Sequence, residues 1–224
     1  IKFKKNLEKI LNTKNNIHNY GSLAVEDIEN TKSFYSKKKL ESKLKIKFSK
    51  KNFLVSIHPE TKNSKKFCNK VDMLFNFFEK KNDYNFFFTL PGHDIGGNYI
   101  FKKINNFVKK NKKSYFLNTI QKKYFYSLVK NSNAVFSNSS SGIIEMPSLK
   151  VPVINLGNRQ KGRIQSQNIL NSKFNIKDLE KNLKIANSKK FQNNLVKTKN
   201  VYHIKDTKKK IVREILKSIN AKKL

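Results

Sequence analysis

Three consecutive serines, Ser139, Ser140 and Ser141, stand directly ahead of Gly142, at the point where an apolar run gives way to a helix-like stretch. Hydroxyls and free backbone N–H groups at a helix amino terminus form a cradle for an anion, because the macrodipole and the unpaired donors both favour phosphate there. Glu145 follows within the first turn. A carboxylate at that place could accept hydrogen bonds from two sugar hydroxyls, as the acidic residue of dinucleotide folds does for ribose. The plainer alternative is that Ser139 caps the helix and Glu145 offsets its dipole. Arg159 and Arg163 gain weight from rarity, since among 49 Lys+Arg residues only these two and Arg213 are arginine. A guanidinium offers a planar fork suited to phosphate. His58 and His93 each follow an apolar run, beside Pro59 and Pro91, and Gly96-Gly97 precede a helix-like stretch where backbone could approach a ligand closely. His18 and His203 have no such context. Cys68 shares a helical face with Val71 and Phe75 and reads as core.

These residues fall at the ends of strands. Apolar runs over 53–57, 85–90, 114–117, 134–137 and 151–156 read as five buried strands, and amphipathic stretches over 65–81, 98–111, 121–131 and 142–149 read as the helices between them. Buried strands alternating with helices call for a parallel sheet covered on both faces, a Rossmann-like doubly wound α/β domain. In such a sheet ligands bind outside the carboxyl ends of the strands, where all the segments above converge. Phe3, Leu7, Ile10 and Leu11 place a helix at the start of the chain, and residues 16–22 read as a short strand and turn closing on Gly21. Leu40, Leu44 and Ile46 mark a further short helix. Later helices are expected near 177–187 and over 207–219, the latter with Ile211, Ile215, Leu216 and Ile219 as its apolar stripe.

The chain has 224 residues, 37% hydrophobic, with 18 Phe and 8 Tyr, which is enough apolar surface to fold despite a mean hydropathy of −0.67. No apolar run is long enough to span a membrane, no secretory signal opens the chain, and the first residue is Ile1, so the natural amino terminus is expected to lie upstream. One cysteine and no clustered Cys/His ligands argue for a reducing, cytoplasmic setting with neither metal nor cofactor. The net charge of +34 raises nucleic acid as a partner. Against that, the lysines are spread along the whole chain, arginine is scarce, and Lys travels with Asn, Ile and Phe as in A/T-rich coding.

Several segments resemble a known family in order and spacing. Residues 138–147 (Asn-Ser-Ser-Ser-Gly-Ile-Ile-Glu-Met-Pro) and 152–163 (Pro-Val-Ile-Asn-Leu-Gly-Asn-Arg-Gln-Lys-Gly-Arg) are similar to the hydrolysing UDP-N-acetylglucosamine 2-epimerases, especially the branch serving sialic and legionaminic acid synthesis. Residues 21–27 (Gly-Ser-Leu-Ala-Val-Glu-Asp), 56–61 (Ser-Ile-His-Pro-Glu-Thr) and 91–97 (Pro-Gly-His-Asp-Ile-Gly-Gly) match further family segments. The resemblance implies the carboxyl-terminal domain of a GT-B-like fold: residues 1–20 as the tail of a first domain, 21–190 as the nucleotide-binding domain, and 191–224 as a helical segment packing back towards that first domain. It implies release of UDP from a UDP-amino sugar by elimination and then hydration; homodimers are common in the family, and the oligomeric state stays open. Ser139, Ser140, Ser141 and Gly142 would hold the diphosphate, Glu145 the ribose, His58 the departing charge, and Arg159 and Arg163 would line the same pocket. The proton-transferring carboxylates would lie upstream of Ile1, so this segment alone would bind nucleotide without turnover. Two departures stand out: Gly92-His93-Asp94 replaces the family's Asn-Ala-Asp, and residues 200–203 (Asn-Val-Tyr-His) replace Asn-Pro-Tyr-Gly. A GT-B glycosyltransferase and a basic nucleic-acid-binding module are the alternatives.

Overall fold

The computed structural model describes residues 2–60, 64–92 and 94–220. Within them the chain forms two compact units, one from the start to Asn30 together with the segment from Tyr202 onward, and one from Thr31 to Val201. The second unit holds the whole sheet. Its strands are β1 (Lys51–Ser56), β2 (Tyr84–Thr89), β3 (Ser114–Leu117), β4 (Ala134–Ser137), β5 (Val153–Leu156) and β6 (Ile169–Ser172), all parallel, in the order β3-β2-β1-β4-β5-β6. The chain thus winds outward from β1 to β3, returns, and winds outward the other way from β4. The direction reverses between β1 and β4, whose ladder ends at Ser56 opposite Ser137. That gap is the topological switch point.

The strands are buried on both faces because helices cover both, which is why they read as unbroken apolar runs instead of alternating ones. Phe53, Val55, Phe86, Phe88, Phe136, Ile154 and Leu156 face a core shared with α4 (Ser64–Glu79), α5 (Gly97–Lys110) and α9 (Ile176–Ala186). Phe67, Val71, Leu74, Phe75 and Phe78 recur at helical spacing on α4 and are all buried, as are Ile100, Ile104 and Phe107 on α5. Cys68 belongs to this helix but is only half-buried, which corrects its reading as core: it lies one position off the stripe set by Phe67 and Val71. α3 (Lys37–Leu44), α6 (Lys122–Lys130) and α10 (Lys189–Leu195) complete the unit, with Leu40 of α3 fully buried.

The stretch expected as one helix over 142–149 is two, α7 (Ser140–Ile144) and α8 (Met146–Leu149). Pro147 lacks an N–H and its ring clashes with the carbonyl one turn back, so the helix stops at Glu145 and restarts with proline in the first turn of α8. The other unit carries α1 (Lys2–Leu11), α2 (Leu23–Glu29) and α11 (Thr207–Asn220). Residues 16–22 form no strand. Ser22 is instead the extended residue ahead of α2 and its N–H donates to the Tyr202 carbonyl at 3.1 Å. Glu26 of α2 accepts the Lys208 N–H at 2.9 Å at the start of α11, and Lys208 pairs with Asp27. The apolar stripes of α1 (Phe3, Leu7, Ile10, Leu11) and α11 (Val212, Ile215, Leu216, Ile219) are exposed, while Ile211 is half-buried.

Candidate functional site

The switch point is closed by one amide. Asn138, the first residue past β4, is wholly buried; its Oδ1 accepts the His58 N–H at 2.8 Å and its Nδ2 donates to the His58 carbonyl at 2.8 Å. The backbone carbonyl of Asn138 in turn accepts from Arg159 Nη1 at 3.1 Å and from Gln160 Nε2 at 2.8 Å. One residue therefore brings together the ends of β1 and β4 and the loop after β5. His58, the serine turn and Arg159, singled out separately in the sequence, lie around it.

The His58 ring is fixed from a fourth segment: the Gly92 N–H donates to Nδ1 at 3.1 Å. With Nδ1 accepting, the neutral ring carries its proton on Nε2 and offers a donor there. Burial holds the imidazole below its ordinary pKa, the Arg159 charge adds to the effect, and Asp94 opposes it. The ring is thus uncharged near neutrality. Because the folded value lies below the unfolded one, the unfolded chain binds more protons between the two, so stability rises with pH towards about 6.5 and is lost as pH falls below it. Thermal melts from pH 5 to 7.5 should show this slope in the parent and a weaker one in His58→Asn.

Gly96 and Gly97 have a reason the sequence does not show. Gly96 takes the left-handed conformation at φ +98° ahead of α5, and a Cβ on Gly97 would collide with the backbone carbonyl oxygen of Gly92. The pair lets the loop fold onto itself so that Gly92 reaches His58; the close approach is to protein backbone. Gly97→Ala should cost about 1–3 kcal/mol through overpacking, read as a lower urea midpoint, and should disturb the His58 titration because Gly92 must shift. His93 and Thr61 lie outside the described residues.

In the serine turn, Ser139 is extended (φ −80°, ψ 152°), its N–H donates to Ser137 Oγ at 2.9 Å, and its side chain does not cap the helix. It accepts instead from Ser141 Oγ at 3.2 Å. The first-turn N–H groups at Ser140 and Ser141 have no carbonyl one turn back to bond, and Ser140 and Ser141 remain partly exposed. Gly142 is buried: a Cβ there would lie 3.4 Å from Ser137 and Val153, so this residue seats α7 on the sheet. Glu145 is half-buried and accepts from Tyr126 Oη at 2.8 Å, which orients its carboxylate and leaves acceptor positions over. Arg163 is exposed; its N–H donates to the Gln160 carbonyl at 3.3 Å, and among the described residues no side-chain partner engages its guanidinium. Asn138, Gln160 and Tyr126 escaped sequence reasoning, since an Asn within a serine turn, a buried Gln and a helical Tyr carry no chemical mark of their own. Among the described residues no group of three His, Cys, Asp or Glu side chains could hold a metal, and no helix is long and apolar enough to cross a membrane.

A parallel sheet in this strand order, with its polar cradle at the reversal point, defines a Rossmann-like α/β chain of the type that makes up half of a GT-B-like fold. The chain belongs to the UDP-N-acetylglucosamine 2-epimerase family, whose model matches residues 2–216. It is 36% identical over 220 residues to the hydrolysing GDP/UDP-N,N'-diacetylbacillosamine 2-epimerase of Campylobacter jejuni and 30% identical over 225 residues to polysialic acid biosynthesis protein P7 of Escherichia coli. In both cases the match covers 97% of this chain and 56% of the relative, so the chain spans little more than half the length of these proteins. Among solved structures, the UDP-GlcNAc 2-epimerase of Neisseria meningitidis bound to UDP-GlcNAc superposes with a TM-score of 0.72 at 17% identity, over 96% of this chain and 59% of that one. The Methanocaldococcus jannaschii enzyme in complex with UDP-GlcNAc and UDP superposes at 0.66 and 19% identity, over 95% and 58%. At such identities these structures speak for the fold.

Proposed function

We propose that this chain is the UDP-holding half of a hydrolysing 2-epimerase that acts on a UDP-amino sugar. UDP leaves C1 as a proton leaves C2, giving an unsaturated sugar, and water then adds across that double bond to release the C2 epimer as the free sugar. The Ser139–Ser141 turn binds the diphosphate through hydroxyls and N–H groups. Glu145, oriented by Tyr126, accepts from the ribose hydroxyls. Neutral His58 donates from Nε2 to the departing phosphate, with Arg159 beside it and Arg163 as a further cation. Fixed donors that meet charge as it builds on the leaving group are worth most in a site sheltered from water. The observation that carries the reading is the convergence on Asn138 of His58, Arg159 and the serine turn.

The carboxylates that move protons at C2 belong, in this reading, to the part of the protein that the relatives have beyond the matched region. The exposed apolar stripes of α1 and α11 are the surfaces against which that part packs. Incubating the intact protein with UDP-N-acetylglucosamine and with UDP-N,N'-diacetylbacillosamine tests the proposal. Release of UDP and free epimerised sugar without any acceptor is expected from one of them. Failure to take up UDP in calorimetry, or UDP release only when a glycosyl acceptor is added, overturns it.

A further inference from the structure

The ladder between β1 and β4 has its last pair at Ser56 opposite Ser137, at the switch point of the sheet. No further pair of the ladder follows. Asn138 continues it with a side chain: its amide presents one donor and one acceptor to the N–H and C=O of a single residue, His58, as a neighbouring peptide would. The same residue's main-chain carbonyl holds Arg159 and Gln160. A wholly buried amide that served only to fill space would be replaced at little cost by an apolar group of the same size. Here every one of its bonds goes to a segment carrying a site residue.

We propose that Asn138 is a positioning residue that sets His58 and Arg159 in register with one another, so that the imidazole and the guanidinium meet the same diphosphate. The inference rests on the nucleotide reading of the site for its ligand, but its structural core, the control of the His58 ring by Asn138, stands apart from it. Alanine at 138 releases both backbone groups of His58. Aspartate, nearly isosteric, still accepts the His58 N–H but turns an oxygen towards the His58 carbonyl, 2.8 Å away, so half the clasp becomes repulsive.

The test compares Asn138→Ala and Asn138→Asp with Asn168→Ala in the intact protein. Asn168 is equally buried and donates to the Val151 carbonyl at 2.8 Å, but it sits at the amino end of β6, the opposite edge of the sheet. The readouts are UDP affinity by calorimetry and the His58 titration by NMR, assigned with His58→Asn. The charged groups facing that ring are Arg159 and Asp94. Both Asn138 variants should weaken UDP binding about tenfold or more, as loss of the groups that orient a ligating side chain does at other sites, and move the His58 titration up towards that of an exposed histidine. Asn168→Ala should lower the melting temperature alone. Because the charge of aspartate would by itself raise the His58 pKa and repel a diphosphate, Asn138→Gln, uncharged and one methylene longer, decides the matter if the alanine variant does not fold. Folded Asn138 variants with an unchanged His58 titration and unchanged UDP affinity, or an Asn168 variant that shifts both, overturn the inference. If the parent takes up no UDP, the nucleotide reading fails while the His58 titration still decides this one.

Discussion

Replacing Arg159 by alanine should weaken UDP binding by about 10- to 100-fold, the cost of about 1.5–3 kcal/mol that hydrogen bonds to charged groups carry. The guanidinium gives one N–H to the Asn138 carbonyl and has further donors, which in the proposed reading meet the diphosphate. Arg159→Lys retains the charge but has a single head that must choose between carbonyl and phosphate, so its affinity should fall between the two. Arg213 on α11 is the control, because it belongs to the unit that holds none of the site residues; its replacement should leave affinity within about twofold. Calorimetry at two salt concentrations makes the test sharper. Arg159 and Arg163 are both exposed, so the loss on replacing either should shrink as salt rises; the Arg159 loss should shrink less, because the Asn138 carbonyl holds its guanidinium in place. Losing Arg159 should also let the His58 pKa rise, since its charge is one of the causes that hold the ring neutral.

The parts of this architecture that burial dictates were legible in the residues. Phe86, Phe87 and Phe88 can be followed by no solvent face, so β2 had to be central, and the same holds for residues 134–137. β6 was not legible because Ile169-Leu170-Asn171-Ser172 is a short edge strand with three of its four residues partly exposed, and its pattern does not differ from a loop. Residues 16–22 misled for the opposite reason: Ile17 is buried, but as a single anchor in irregular chain. Within the site, the serine turn and the two arginines were visible because their residue types are chemically marked. The resemblance to the hydrolysing 2-epimerases rested on those same segments, and the family model matching residues 2–216 bears it out. Asn138 stayed hidden because its importance lies in what it touches 80 positions earlier in the chain, and no local pattern encodes a side chain that imitates a strand. Gly96-Gly97 suggest close approach of a ligand; at Gly97 the structure gives that room to the Gly92 carbonyl.

Phe78→Ala should be the most damaging single change to stability, at about 3–5 kcal/mol. Phe78 is completely buried and its ring meets those of Phe75, Phe77, Phe86, Phe88, Phe107 and Phe136, so it joins α4 and α5 to β2 and β4. These contacts are mostly edge-to-face or tilted, the arrangements in which aromatic pairs gain beyond the area they bury. A cavity in the midst of six rigid rings cannot close by small rotations, which puts the cost near the upper part of the range. Against a total of about 5–15 kcal/mol for an ordinary chain this is a large share. In a protein of this size it corresponds to a fall of roughly 6–20 °C in melting temperature, at about 2–4 °C per kcal/mol. Urea unfolding should show a lower midpoint with an unchanged slope, the mark of lost packing in an otherwise intact native state. Phe78→Leu keeps most of the volume and forfeits the ring geometry, and should recover more than half of the loss. The damage should reach the site as well: Phe136 of β4 packs against Phe78 and lies two residues before Asn138, which follows that strand directly, so the alanine variant should bind UDP more weakly even at temperatures where it remains folded.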